Sequence, residues 1–119
     1  MALNPKDTAG FSVSDAGAVT ATAYNTTPRT VAASAALVIG PTDSTIYVSS
    51  TGGASVLGTH AMVSGQRVAI VMTAFNTGVY TLAVRASGTL TLNATLESAI
   101  LEYDGTDIQV LALNGATVV

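Results

Sequence analysis

From residue 18 onward the apolar side chains recur with the two-residue period of extended chain, not the 3.6-residue period of a helix. Val79-Tyr80-Thr81-Leu82-Ala83-Val84-Arg85 sets Tyr80, Leu82 and Val84 on one face and Thr81 and Arg85 on the other. Thr89-Leu90-Thr91-Leu92-Asn93 repeats the scheme with Leu90 and Leu92. Within 97–103, Ala99, Leu101 and Tyr103 share one face, leaving Ser98, Ile100 and Glu102 on the other, towards solvent or a subunit seam. Each segment predicts a half-buried strand.

Two segments, Thr30–Ile39 and Gln66–Ala74, are nearly continuous in apolar residues, the pattern of a strand covered on both faces. The β-branched residues Val68, Ile70, Val71 and Thr73 weigh against reading the second as a helix. Shorter strands are expected at Val19–Tyr24, Ser44–Ser49, 106–113 and 116–119. Turn signals separate these runs: Gly40-Pro41, Gly52-Gly53, Ser64-Gly65, Asn76-Thr77-Gly78, Asp104-Gly105 and Asn114-Gly115. The link Ala86-Ser87-Gly88 offers a glycine for a φ > 0 hairpin position, and Asp104-Gly105 fits a type I′ turn. The expectation is an all-β, jelly-roll-like sandwich or barrel of about eight to ten short antiparallel strands. No repeat of fixed period is evident, which disfavours a solenoid or propeller.

Residues 1–17 read differently. Pro5, Gly10 and Gly17 punctuate a polar stretch in which only Leu3, Phe11 and Val13 are sizeable apolar side chains. Such a segment has too little apolar area to fold alone. It is expected to be an extended arm, frayed or ordered on a neighbouring subunit, ahead of one domain over 18–119.

Composition sharpens this. Hydrophobic residues make up 49% of the 119 but charged residues only 9%, against a usual share of about 25%. Mean hydropathy is +0.52. A soluble monomer keeps apart from its neighbours with an interspersed coat of charge, and this chain lacks the residues to build one. The longest wholly apolar run, Val68–Met72, is far short of the roughly 20 residues of a membrane helix, so no membrane span is predicted. The surplus apolar surface is therefore expected to be buried between identical copies.

The chemistry-bearing residues are few. With no cysteine, there is no disulfide, thiolate nucleophile or Cys-based zinc site. The single histidine, His60, lies in the turn-rich stretch Gly58-Thr59-His60-Ala61 and has no Gly-x-Ser-x-Gly nucleophile elbow to serve, so no catalytic residue is nominated. Asp104 and Asp107 do not follow the spacing of a calcium loop, and no metal or cofactor is predicted. The net charge is −3, and Arg29, Arg67 and Arg85 are scattered, which argues against nucleic acid as a partner. Asn25-Thr26-Thr27 and Asn93-Ala94-Thr95 match the glycosylation pattern by chance in a Thr-rich chain. The start of the chain shows neither a basic n-region nor an apolar h-region, and the expected site of synthesis is a cytoplasm.

Gly88-Thr89-Leu90-Thr91-Leu92-Asn93-Ala94, followed by Ala99-Ile100-Leu101-Glu102-Tyr103-Asp104-Gly105-Thr106-Asp107-Ile108-Gln109-Val110-Leu111, resembles the closing hairpin of small trimeric β-domains in tailed-bacteriophage virion proteins. Among these the chain looks most like a capsid decoration, or cement, protein. The resemblance implies a homotrimer on the outside of the phage head, bound to the major capsid protein and stabilising the lattice. It implies an arm that grips the capsid through Leu3, Asn4, Pro5, Lys6, Phe11 and Val13. Tyr47, Arg67, Arg85 and Glu102 are the candidate subunit-interface residues. The alternative is a receptor- or carbohydrate-binding β-domain of a tail fibre or spike, with Tyr24, Tyr47 and His60 as candidate sugar contacts; fibres generally carry long coiled-coil or β-helical shafts, which this chain lacks.

Overall fold

The computed structural model describes residues 11–13, 19–21 and 27–119. Among the described residues there are twelve strands and no helix. They are β1 (Phe11–Val13), β2 (Val19–Ala21), β3 (Arg29–Thr30), β4 (Val38–Ile39), β5 (Thr45–Ser49), β6 (Val56–His60), β7 (Arg67–Ala74), β8 (Tyr80–Val84), β9 (Gly88–Leu92), β10 (Ser98–Tyr103), β11 (Ile108–Asn114) and β12 (Thr117–Val118). Among the described residues β1 and β2 pair only with each other. The other ten form two five-stranded sheets, ordered β11-β10-β7-β5-β3 and β12-β9-β8-β6-β4.

The all-β expectation holds, but the strands are not uniformly antiparallel. β3, β5 and β7 run parallel in the first sheet, as do β4, β6 and β8 in the second. Every link from β3 to β8 crosses from one sheet to the other, so the chain winds through three coils, each with a strand in both sheets. A parallel pair usually needs a helical crossover; here the return strand of the opposite sheet supplies it. From β8 onward the winding stops. The hairpins β8–β9 and β10–β11, and β12 against β9, are antiparallel, and both sheets become mixed.

Thr45 lies beside Ala69 in one sheet and Val56 beside Tyr80 in the other, a displacement of 24 residues in both. The preceding coil is shorter, with Arg29 beside Ile46 and Val38 beside Thr59. Unequal coils leave no fixed period to read, which is why a winding fold escaped the sequence pattern.

Alternation puts one apolar layer between the sheets. Ile46 and Val48 of β5, Val68, Ile70 and Met72 of β7, Leu82 of β8, Leu90 and Leu92 of β9 and Leu101 of β10 are all buried. Each such side chain contributes roughly 1.5–3 kcal/mol. Tyr80 joins them, its hydroxyl donating to the carbonyl of Ala35 at 3.0 Å. The faces assigned to β8, β9 and β10 are those observed. For β7, however, only one face is covered: Ala69 and Val71 remain half-exposed on the outside.

Three local expectations change. Thr30–Ile39 is not one strand. It ends at Thr30 and resumes at Val38, and the small residues between turn the corner from one sheet to the other around Ser34 at φ 53°. Its apolar character comes from Val31 and Leu37, which pack into the core from the corner. The turn-rich stretch that begins at Gly58 falls largely on strand β6, and that glycine is buried where a Cβ would press on Leu37 at 3.2 Å and the Thr81 carbonyl at 3.1 Å. In the β8–β9 turn the positive φ falls on Ala86 (61°) and Ser87 (62°); Gly88 instead makes room for Val118, whose Cγ1 would lie 2.9 Å from an added Cβ.

The coils touch closely at the corner before β6 and β8. A Cβ on Gly78 would overlap the carbonyl oxygen of Ala54. Both are backbone positions tied down by neighbours, with Val56 N–H donating to Val79 O at 2.8 Å and Thr77 Oγ1 to Gly53 O at 3.2 Å. Gly78→Ala is therefore expected to cost about 3 kcal/mol or more. Gly40→Ala, whose Cβ would meet only Asp43 Oδ2 at 3.5 Å, should cost less than about 1 kcal/mol. Urea denaturation midpoints of the two variants check the contrast.

Candidate interaction surface

The outer face of the second sheet is built by the residues that alternate with its core. One cross-strand row runs Leu57, Thr81, Thr91, Thr117, and Val38 pairs with Thr59 beside it. None carries a charge, and Leu57 is 71% exposed and Val38 51%. On the first sheet one row runs Thr30, Tyr47, Val71, Ser98, and a second Thr45, Ala69, Ile100, Ala112. A third holds Arg67, Glu102 and Gln109, where the two charges form an ion pair. That pair is solvent-screened and worth at most about 1 kcal/mol.

Among the described residues nearly every charge sits at one end of the sandwich, where β3, β5, β7 and β11 begin and β8 and β10 finish. Arg29 grips Asp43 through two bonds, Nε to Oδ1 at 3.0 Å and Nη2 to Oδ2 at 2.8 Å, and Nη2 also donates to Val38 O at 2.6 Å. Gly40 N–H donates to Asp43 Oδ2 at 2.7 Å. Gln66 closes the clip by donating to the carbonyls of Gly40 and Asp43, both at 2.8 Å, while accepting from Val63 N–H at 3.0 Å. The loops at 40–44 and 61–66 are thereby fixed to each other and to the start of β3. Of the described residues only Glu97 carries charge at the opposite end, where it accepts from the Asn93 and Ala94 amides.

The Arg29 hydrogen bonds, followed by the Gly40 amide, hold the Asp43 carboxyl below its ordinary value of 3.8 against the opposing effect of burial; Asp43 in turn raises Arg29. Asp104 is lowered as well, by the amides of Asp107 and Thr106 and then by the Gln109 side chain. The expected Asp104-Gly105 type I′ turn is instead a four-residue loop between the paired Tyr103 and Ile108. Gly105 alone has positive φ, and Asp104 Oδ1 accepts from the Thr106 and Asp107 amides, both at 2.8 Å. Gln109 takes the other oxygen of Asp104.

Two grooves open on this scaffold. The first, about 500 Å³, runs between the edge strands β11 and β12 and is lined by Val84, Arg85, Gln109 to Leu113 and Val118. Its apolar lining arises from a β-bulge: the register slips between Ile100 and Leu101, which face Ala112 and Val110, so Leu111 has no partner on β10. Leu111 is 48% exposed, Leu113 44% and Val118 40%. The second groove, about 480 Å³, lies between β6, β8 and the 106–108 segment and includes His60 and Asp107. His60 Nδ1 accepts the Met62 amide at 3.2 Å, so in the neutral ring the proton sits on Nε2. The ring tilts against Tyr103 at a centroid distance of 4.8 Å. Among the described residues no three His, Asp or Glu side chains gather as a metal site would require.

Comparison with family models, with curated proteins and with solved structures finds no match to this chain.

Of the nominated interface residues, Tyr47, Arg67 and Glu102 share the outer face of the first sheet, while Arg85 lies apart, lining the first groove and donating to Gln109 Oε1 at 3.3 Å. Leu3, Asn4, Pro5 and Lys6 lie outside the described residues, as does Tyr24. Phe11 and Val13 fall on β1. The sequence reading missed the Arg29–Asp43–Gln66 clip, whose members lie far apart in sequence, and the edge groove, because a bulge leaves no trace in periodicity.

Asp43 gives a pH dependence of definite sign. A carboxyl lowered in the folded state contributes stability that is complete above its unfolded value and is lost as pH falls through the folded value. Stability should therefore decline from about pH 4 downward. Asp43→Asn should lower stability at pH 7 by about 1 kcal/mol, discounted because Arg29 is 40% exposed. It should also lose less than the parent between pH 4 and pH 2 in thermal melts across that range.

Proposed function

We propose that this chain is a virion structural protein: a homotrimeric decoration protein that binds the outside of a phage head through its major capsid protein and stabilises the lattice. The observation that carries the reading is the pair of outer sheet faces without unpaired charge. A face of Thr, Val and Leu repels no copy of itself and imposes no cost for desolvating ions, so it suits burial against protein. The gathering of nearly all the described ionised groups at one end and the open apolar edge groove support the same reading. The activity is a matter of linkage. Each trimer bound across several shell subunits adds free energy available only to the assembled lattice, and several weak contacts on one rigid body combine as avidity. No turnover is involved, and synthesis in the host cytoplasm suffices.

The fibre or spike alternative gains from one finding, the three parallel coils, since β-helical shafts are built by such winding. The coils end at β8, where antiparallel hairpins take over.

Native mass spectrometry of the purified protein should give a trimer near three times 11.9 kDa, and the trimer should bind expanded empty capsids. Deleting residues 1–10 should leave the trimer folded and weaken capsid attachment; a monomer at high concentration, or attachment unchanged by the deletion, goes against the respective claims. A glycan array positive for the parent and lost in Tyr47→Ala or His60→Ala would transfer the case to the fibre reading.

A further inference from the structure

Among the described residues β1 and β2 form a sheet of their own. They pair Phe11 with Ala21, Ser12 with Thr20 and Val13 with Val19, and with no other described strand. The register places four apolar residues at alternate positions with Ser12 and Thr20 between them, the signature of a ribbon with one face to bury. A two-stranded ribbon is at best marginally stable in water. The same chain carries a receptor of matching chemistry: the edge strand β11, whose outer side is bonded at Ile108 to the Arg85 amide and carries no paired strand beyond it among the described residues, and the apolar groove between it and β12, lined by Val84, Val110, Leu111, Leu113 and Val118.

We propose that the β1–β2 ribbon of one copy occupies the β11–β12 groove of the next. This rests on the trimer reading above and identifies the surface that holds the trimer.

Chain length decides between the chain's own groove and a neighbour's. The ribbon is tethered to β3, which occupies the edge of the first sheet opposite β11. β3 and β11 are four strand spacings apart in that order, roughly 19 Å, and a strand added beyond β11 lies at about 24 Å. From Ala21 to Arg29 the fully extended chain spans at most about 26–29 Å. To reach its own groove it would have to cross the sheet at full stretch, without following the surface or adjusting its register along the strands. A neighbour whose β11 edge faces this chain's β3 edge presents the groove where the tether begins. Donor and receptor lie on opposite edges, so the contact is heterologous, head to tail, and a rotation of one third of a turn per copy closes it into a ring of three. Three copies then bury three ribbons and three grooves.

The absence of native cysteine makes the test direct. Val13→Cys and Leu111→Cys are made as separate full-length single variants, unfolded and refolded together, and oxidised; Leu113→Cys serves as a second groove position if the first disturbs the bulge. The expected result is a disulfide between positions 13 and 111 (or 113) joining two chains. The double variant Val13→Cys/Leu111→Cys should give a non-reducing ladder that stops at three chains. A double variant that closes on itself as a monomer would overturn the exchange in favour of a ribbon folded onto its own domain. A trimer by native mass with no cross-link at either position would overturn the ribbon assignment while leaving the trimer standing. A parent protein that is monomeric removes both. As an independent readout, Val13→Asp in the full chain should raise the concentration at which the trimer dissociates about tenfold or more, whereas a ribbon unconnected with assembly would leave it unchanged.

Discussion

The structure depends on one shared apolar layer. Neither five-stranded sheet has an interior of its own; each is closed by the inward residues of the other, and the crossings between them weave the layer from both halves of the chain. Because side chains alternate along a strand, the same constraint fixes what faces outward. In most proteins that alternate set is charged. Here it is Thr, Ser, Ala, Val and Leu, and the one charged cross-strand pair, Arg67 with Glu102, neutralises itself. A single geometric rule thus produces both a well-filled core and two faces with nothing to hold them away from other protein.

Electrostatics plays a local part. The Arg29–Asp43 pair, the Gly40 amide and the Gln66 side chain secure two loops and the start of β3 at one end of the sandwich, and the amides around Asp104 do the same for the β10–β11 loop. These arrangements set loop geometry and acid sensitivity while contributing little to the core. By gathering nearly all the ions of the described residues at one end they also leave the long faces without unpaired charge, the condition on which the proposed assembly rests. The edge groove follows from a single extra residue in β11, since without the bulge Leu111 would have a β10 partner like its neighbours.

Much was legible one strand at a time. Periodicity located β5, β7, β8, β9, β10 and β11 and the inward faces of Tyr80, Leu82, Leu90, Leu92 and Leu101, because a half-buried strand writes its burial into adjacent positions. It failed where the cause of a residue lay far off in sequence. Gly58 looked like a turn and is a strand glycine beneath Leu37; Gly88 looked like a φ > 0 position and instead admits Val118; the Ala-rich run after Thr30 looked like a buried strand and is a corner.

By itself the sequence determined the all-β class, most strand positions and the scarcity of surface charge, since these are properties of residue types and their local alternation. Only the tertiary structure decided that the strands wind in parallel through two sheets, that Arg29, Asp43 and Gln66 meet, and that an apolar groove opens between β11 and β12. Pairing direction, long-range contact and the slip of a register depend on how distant segments are laid side by side. Chain-local pattern carries no term for that.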